Sequence, residues 1–199
     1  MTLGAISYPC SMGRWQPEAR ARLQEAALAL FTERGYEDTT VADIAERAGL
    51  TKRTFFRHFA DKREVLFAGS ELLEQQMVAA IEAAPASASP LGMIGAALDA
   101  AAAAFERVRE FAGLRNQIIS SSHELQEREL IKTASLAAAM ARALRARGLN
   151  STAADLAALT GTTVMHVAFQ RWVDDPEQRS FQRIARDALD QLRQMAATG

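Results

Sequence analysis

The stretch TVADIAERAGLTKRTFFRHF, which begins at Thr40, constrains the fold of this chain more than any other. Thr40 with Asp43 three residues later is a capping box, which predicts that a short helix begins there. Gly49 ends this helix, because glycine readily adopts the positive φ that a tight turn needs. Thr51 is the N-cap of a second short helix, which runs to about Phe59. A short helix, a tight turn and a second short helix form a helix-turn-helix.

The second short helix has one apolar face and one basic face. If Phe55 and Phe59 point inward, they complete a small core together with Leu30, Phe31, Ile44, Ala48 and Leu50. The outward face then carries Lys52, Arg53, Phe56 and Arg57. This face suits a DNA major groove, where cationic groups meet phosphates and guanine edges and an apolar ring meets a thymine methyl group. A charged surface helix of an ordinary bundle, with Phe56 contacting a partner, is the alternative.

Basic residues are concentrated around this second helix. The whole chain has a formal net charge of −1, yet residues 51–63 contain five basic residues and one acidic residue. A local basic patch on a nearly neutral chain indicates a polyanion site of limited size.

Composition limits the fold class and the compartment. The chain has 199 residues, 49% hydrophobic and 24% charged, with 11 glycines and 5 prolines. Abundant alanine and leucine predict an all-α fold of one large domain or two small ones. The single cysteine, Cys10, excludes an intramolecular disulfide and fits a reducing compartment. Because we find no signal-peptide pattern and no apolar run of about 18 residues, we expect a soluble cytoplasmic protein without a membrane segment.

Helix signals along the chain predict further elements. A loose N-terminal segment precedes a helix that opens at Pro17 and ends at Gly35. Asp61 and Glu64 form another capping box, which predicts one long helix to about Ala84. Beyond a PASASP break, helices are predicted at about 91–111, 114–122, 125–147, 152–173 and 176–196, with Thr152 and Asp175 as N-caps of the last two.

The stretch from Ala26 to Phe67 resembles the N-terminal signature of the TetR family of bacterial transcriptional repressors. It contains A-A-x-x-L-F, G-Y-x-x-T-T-V and I-A-x-x-A-G, and it has T-F-F-x-H-F where the family has T-F-Y-x-H-F. The resemblance implies a three-helix DNA-binding head and a larger helical domain that binds a small molecule and dimerises. The predicted boundaries are a flexible N-terminal arm at 1–16, the head at 17–60 and the larger domain at 61–199.

The function that the resemblance implies is sequence-specific repression, with a small apolar effector releasing the protein from a palindromic operator. The implied partners are double-stranded DNA, the effector and a second copy of the chain. An activator or a regulator controlled by a partner protein shares the fold, and a helical-bundle enzyme is a further alternative. The three histidines are widely separated and no Gly-rich phosphate loop occurs, so no catalytic residue, metal site or cofactor is predicted.

The resemblance also implies residue roles in the head. Thr40 and Thr51 would contact phosphates, and Lys62 would hold the DNA backbone. The recognition helix would carry or adjoin Lys52, Arg53, Phe56, Arg57 and His58. Phe56 stands where the family often has a tyrosine. It has no hydroxyl group to hydrogen-bond a phosphate, an interaction that would contribute about 1 kcal/mol.

Dimerisation and effector binding are predicted for the larger domain. The helix at 152–173 is apolar on several faces and the last helix has one apolar stripe, so the pair is predicted to dock on a second chain. The predicted interface is Leu156, Val164, Ala168, Trp172, Phe181, Ala188 and Leu192. A purely intramolecular core is the alternative. Because methionines and aromatic rings suit adaptable apolar pockets, the predicted effector site is Met77, Phe105, Phe111, Met140, Met165, His166 and Phe169.

Overall fold

The computed structural model describes residues 15–197, without the side chains of residues 15–18, 107 and 110. Every regular element in the described range is helical, which confirms the all-α prediction. The chain divides into two compact units, one ending at Leu66 and the other beginning at Phe67. The predicted arm lies outside the described residues up to position 14, as does Cys10.

Within its described residues, the N-terminal unit contains three α-helices: α1 at Trp15–Arg34, α2 at Val41–Arg47 and α3 at Lys52–His58. Helix α1 begins two residues before the predicted start at Pro17. It ends as predicted, because Gly35 adopts a φ of +88° that continues no right-handed helix. Helices α2 and α3 both pack against α1, so the three enclose a small core.

The core of this unit is largely the one predicted from the sequence. Phe55 is fully buried, and its ring centroid lies 5.5 Å from that of Phe59. Leu30, Phe31, Ile44 and Ala48 are buried with them. Leu50 is partly exposed, so it closes the edge of the core.

The connection after α3 differs from the predicted long helix. The Asp61 carboxylate accepts hydrogen bonds from the backbone N–H groups of Arg63 and Glu64, as a helix cap should. Only a 3₁₀ turn follows, however, and helix α4 begins at Ser70 after Gly69, whose φ is +95°. Residues 65–67 are all buried, and the left-handed conformation of Gly69 cannot continue a right-handed helix. The prediction of one continuous helix from Asp61 is therefore wrong.

The second unit is a bundle of six α-helices within the described range. They are α4 at Ser70–Ala83, α5 at Pro90–Phe105, α6 at Arg109–Ser120, α7 at His123–Ala146, α8 at Ser151–Val173 and α9 at Phe181–Ala197. Helix α8 packs against α5, α7 and α9, so it runs through the middle of the bundle. The largest side chains of the shared core include Met77, Ile94, Leu98, Trp172 and Phe181.

Three boundaries in this unit correct the sequence prediction. The helix predicted at 91–111 ends at Phe105, and a 3₁₀ turn separates it from α6. Helix α8 is capped by Asn150, whose side-chain oxygen accepts from the N–H of Ala153, and not by Thr152. Helix α9 begins five residues later than predicted, because Asp175 caps a tight turn by accepting from the N–H of Arg179.

Candidate nucleic-acid interface

Helix α3 presents the basic face that the sequence predicts. The Thr51 hydroxyl oxygen accepts from the N–H of Thr54 at 3.1 Å and fixes the start of the helix. Phe55 is 0% exposed and faces α1, which turns the opposite side of α3 to solvent. The Phe56 side chain is 56% exposed, and Lys52, Arg53 and Arg57 are exposed beside it. The structure therefore gathers one apolar ring and three cations on a single free surface of the helix.

The turn between α2 and α3 is held by a side chain that sequence reasoning missed. Gly49 adopts a φ of +64°, and the N–H of Leu50 returns to the carbonyl of Ala45 at 2.8 Å. The guanidinium of Arg22 on α1 donates to the carbonyl of Ala48 at the end of α2. A Cβ on Gly49 would lie 2.8 Å from Arg22 Nη2, so glycine also leaves room for this contact. No local sequence pattern predicts this role of Arg22, because the residue lies 26 positions before the carbonyl that it binds.

Helix α2 begins at the predicted capping box. The Thr40 hydroxyl donates to Asp43 Oδ2 at 2.5 Å and accepts from the Asp43 N–H at 3.2 Å. The Asp43 carboxylate also accepts from the Thr40 N–H, and these hydrogen bonds lower the pKa of its carboxyl group. The Thr40 side chain is exposed but engaged within its own helix start.

His58, predicted to adjoin the recognition helix, is the last residue of α3 and only partly exposed. Its Nε2 atom is buried, and within the described part of the chain it meets no hydrogen-bond partner. Burial lowers the pKa of the imidazole, and the nearby guanidinium groups of Arg57 and Arg20 lower it further. His58 is therefore a partly buried, neutral ring at the edge of the face.

Lys62 has a different environment from the one expected of a phosphate contact. Its Nζ atom donates to three backbone carbonyls of the α1–α2 turn: Tyr36 at 2.8 Å, Thr39 at 3.1 Å and Glu37 at 3.3 Å. The ammonium also lies 4.1 Å from the centre of the Tyr36 ring. Since an ammonium has three N–H donors, all of them are engaged inside the protein. In the chain without DNA, Lys62 therefore binds the turn before α2, and its contact with the DNA backbone stays a prediction.

Comparison with known proteins agrees with this architecture. Residues 23–68 match the model of the bacterial regulatory proteins of the tetR family. The chain is 43% identical over 81 residues to the HTH-type transcriptional regulator TcmR of Streptomyces glaucescens. The aligned stretch covers 41% of the chain and 36% of TcmR. It is also 47% identical over 47 residues to the HTH-type transcriptional repressor KstR2 of Mycobacterium tuberculosis. This aligned stretch covers 24% of each protein.

The N-terminal head of the chain matches the TetR family. The sequence likeness to these relatives spans about a third of the length of TcmR and a quarter of KstR2. The structure of this chain also resembles that of SmeT in its solved complex with triclosan. The two superpose with a TM-score of 0.61 at 22% sequence identity, over 87% of this chain and 88% of SmeT. That likeness establishes the fold over both units. TcmR is named as a regulator and KstR2 as a repressor.

The structure brings only part of the predicted effector site together. The ring centroids of Phe105 and Phe169 lie 5.3 Å apart, and Met165 is half-buried against the same core. Met77 and Met140 are fully buried in the core, whereas Phe111 and His166 are exposed. An open groove of about 280 Å³ between α4 and α7 is lined by none of these residues.

Most of the predicted dimer residues pack inside a single chain. The apolar stripe of α9 packs against α5 and α8, because those helices cover it in the same bundle. Buried in this way are Val164, Ala168, Trp172, Phe181 and Ala188, with Leu192 half-buried. Their burial within one chain favours the intramolecular alternative at these positions, and the dimer interface stays a prediction. Leu156, by contrast, is 62% exposed.

We examined the described residues for metal-binding groups and for membrane-spanning helices, and found neither. No group of three or more histidine, cysteine, aspartate or glutamate side chains is arranged there to hold a metal ion. No helix in that part of the chain has the length and apolar character needed to cross a membrane.

Proposed function

We propose that this chain is a sequence-specific DNA-binding repressor whose helix α3 enters the major groove. The observation that carries the proposal is the outward face of α3, where the exposed Phe56 ring lies among Lys52, Arg53 and Arg57. An exposed aromatic ring on a merely solvated surface has no evident benefit. Against a duplex, the same ring can contact a thymine methyl group while the cations contact phosphates and guanine edges.

The division of labour on this face follows from side-chain chemistry. A guanidinium presents a planar fork of N–H groups that matches guanine O6 and N7, so Arg53 and Arg57 suit base reading. Lys52 carries a compact point charge, which suits a phosphate. Thr40 and Thr51 already bind their own helix starts, so any phosphate contact they make adds to that role.

A palindromic operator requires a dimer, and α8 carries the surface that supports one. Leu156 is 62% exposed and Leu159 56% exposed, and Val167 follows on the same side of the helix. Met195 near the end of α9, which packs against α8, is also exposed. Exposed apolar side chains grouped in this way are typical of an interface between chains. A DNA-bound dimer would act in the cytoplasm.

The effector site that we propose is the aromatic cluster in the second unit. Phe105, Phe169, Trp172 and Phe181 lie with neighbouring ring centroids 4.7–6.2 Å apart. The Trp172 Nε1 atom is buried, and no acceptor in the described part of the chain reaches it. A buried N–H without an acceptor is uncommon. An apolar effector with one hydrogen-bond acceptor would satisfy it, and SmeT, which shares the fold, is solved in complex with triclosan.

The direct test of the function is selection of bound fragments from genomic DNA by the purified protein. We expect enrichment of a short palindromic sequence, protected over two half-sites in a footprint. No enrichment over fragments retained by an unrelated acidic protein would contradict the proposal.

Effector binding is tested separately by tryptophan fluorescence. The chain has two tryptophans, Trp15 and Trp172, so a Trp15→Phe variant reports on Trp172 alone. Titration with triclosan is expected to change its emission, and the same variant carrying Phe169→Ala should respond less. An unchanged emission for triclosan and for a panel of similar apolar compounds would place the effector elsewhere.

A further inference from the structure

We infer that Lys62 is a positioning residue, which sets the entry of the chain into α2 for DNA binding without itself contacting DNA. The inference rests on the proposed DNA-binding function. It concerns a residue that the family resemblance assigns to the DNA backbone and that the geometry assigns to the turn before α2.

The Lys62 ammonium binds a single turn of the backbone. The three carbonyls that receive Lys62 Nζ belong to Tyr36, Glu37 and Thr39, all in the turn that joins α1 to α2. These carbonyls point inward to one spot, and without a cation their dipoles would face one another. The Tyr36 ring, itself buried, closes the site from one side at 4.1 Å. A compact ammonium with three donors fits this arrangement better than any other side chain.

The turn that Lys62 holds determines where α2 starts. Thr39 directly precedes Thr40, the N-cap of α2, whose capping box with Asp43 sets the first turn of the helix. Helix α2 in turn leads through Ala48 and Gly49 into α3. A turn released from Lys62 would therefore let the start of α2 move relative to α3 within the same unit.

The salt dependence of DNA binding separates this role from a phosphate contact. Each cation that neutralises a phosphate contributes about 0.9 to the slope of log K against log salt concentration. If Lys62 positions α2, Lys62→Met should weaken binding about tenfold, the scale of a hydrogen bond to a charged group, while the slope remains that of the wild type. Lys52→Met, which removes an exposed cation of α3, should lower the slope by about 0.9 for each phosphate that Lys52 neutralises.

Hydrogen exchange tests the contact without DNA. In Lys62→Met, amides in peptides spanning residues 35–44 should exchange about tenfold faster than in the wild type, in line with the loss of charged hydrogen bonds. Lys132→Met on α7 is the matched control for the change in charge, and should match the wild type in exchange, affinity and slope. Lys62→Arg keeps the charge but not the compact three-donor geometry. It should also raise exchange in this segment, and it carries the test if Lys62→Met does not fold.

The probe is a duplex selected from random-sequence DNA by the wild-type protein, titrated well below the unfolding temperature of each variant. A lowered slope in Lys62→Met with wild-type exchange would overturn the inference in favour of a phosphate contact. Faster exchange with unchanged affinity would overturn it in favour of a purely structural role. If the wild type selects no duplex, the proposed function fails, and the exchange measurement still shows whether Lys62 holds the turn.

Discussion

At the scale of single residues, adjacent side chains on α3 have opposite roles. Phe55 is fully buried in the small core, while Phe56 beside it is mostly exposed, and their rings meet edge-on at 5.6 Å. The buried ring fixes the rotation of the helix about its own axis. That rotation is what directs Arg53 and Arg57 outward together with Phe56.

Arg53→Ala is expected to reduce sequence discrimination more than overall affinity. A bidentate contact from a guanidinium to guanine contributes about 1–3 kcal/mol of discrimination against the wrong base. Binding titrations with the selected duplex and with single-base variants should therefore show one position at which the Arg53→Ala protein no longer discriminates. Full retention of the wild-type preference at every position would exclude Arg53 as a base reader.

His58 is expected to make the stability of the head depend on pH. Its pKa is lowered in the folded state by burial and by Arg57 and Arg20. As pH falls below about 6.5, the unfolded chain therefore binds the proton first, and the free energy of unfolding decreases. Denaturant unfolding between about pH 7 and pH 5 should show this decrease.

His58→Gln should remove the part of the decrease that lies in this window. The matched control is His166→Gln, because the His166 side chain is exposed on α8. The pKa values of the Asp43 and Asp61 carboxyl groups are lowered from already acidic values, so they affect stability only at lower pH. An unchanged pH dependence in His58→Gln would show that the imidazole is not the group responsible.

At the scale of helices and turns, the sequence predicts where helices start better than how far they continue. Thr40 and Thr51 cap α2 and α3 as their spacing predicts, because both caps bind N–H groups within the next three residues. Asp61 and Asp175 also cap, but tight turns follow them. A cap specifies only the first turn, whereas continuation depends on which following residues the core buries. The burial of residues 65–67 and the contact of Lys62 with Tyr36 both depend on tertiary packing that no local pattern encodes.

The turn between α2 and α3 shows how a tertiary contact adds to the preference for glycine at a residue with positive φ, and this addition can be measured. Gly35 and Gly49 both have positive φ, so alanine at either position should cost about 1–2 kcal/mol in the free energy of unfolding. Gly49→Ala should cost more, because its methyl group would displace the Arg22 guanidinium from the Ala48 carbonyl. Nothing lies within 4 Å of the corresponding position at Gly35.

A double-mutant cycle isolates the additional cost. In an Arg22→Ala background, Gly49→Ala should cost no more than Gly35→Ala does in the wild type, since the displaced contact is already gone. Urea unfolding of the wild type, Gly35→Ala, Gly49→Ala, Arg22→Ala and the Arg22→Ala/Gly49→Ala double variant provides the measurement. An equal cost of Gly49→Ala in both backgrounds would show that Arg22 contributes nothing to the turn.

At the scale of the whole molecule, the apolar residues that a helix buries within its own bundle are not exposed for contact with a second chain. The apolar stripe of α9 is taken up by its own bundle through Phe181, Ile184 and Leu189. Sequence periodicity identifies such a stripe but not the surface that covers it, which is why the predicted interface includes core residues. The exposed leucines of α8 are the residues that we propose contact a second chain.

Leu159→Arg is therefore expected to convert the dimer to a monomer. Burying an arginine against an apolar partner surface leaves a charge without a counter-charge, which is strongly unfavourable. The matched control is Leu130→Arg on α7, because Leu130 is 71% exposed and Leu159 is 56% exposed. Sedimentation at micromolar concentration should show a dimer for the wild type and the control. A wild-type monomer with and without DNA, or a dimer that survives Leu159→Arg, would contradict the proposed interface.

The most direct test of DNA reading by α3 is a titration of the selected duplex with two charge-matched double variants. One carries Arg53→Ala and Arg57→Ala on the outward face of α3, and the other carries Arg142→Ala and Arg183→Ala, both exposed in the second unit. We predict that the α3 variant binds the selected duplex no better than an unrelated duplex, whereas the control keeps the wild-type preference. An α3 variant that still prefers the selected duplex as strongly as the wild type would contradict the claim that α3 reads DNA.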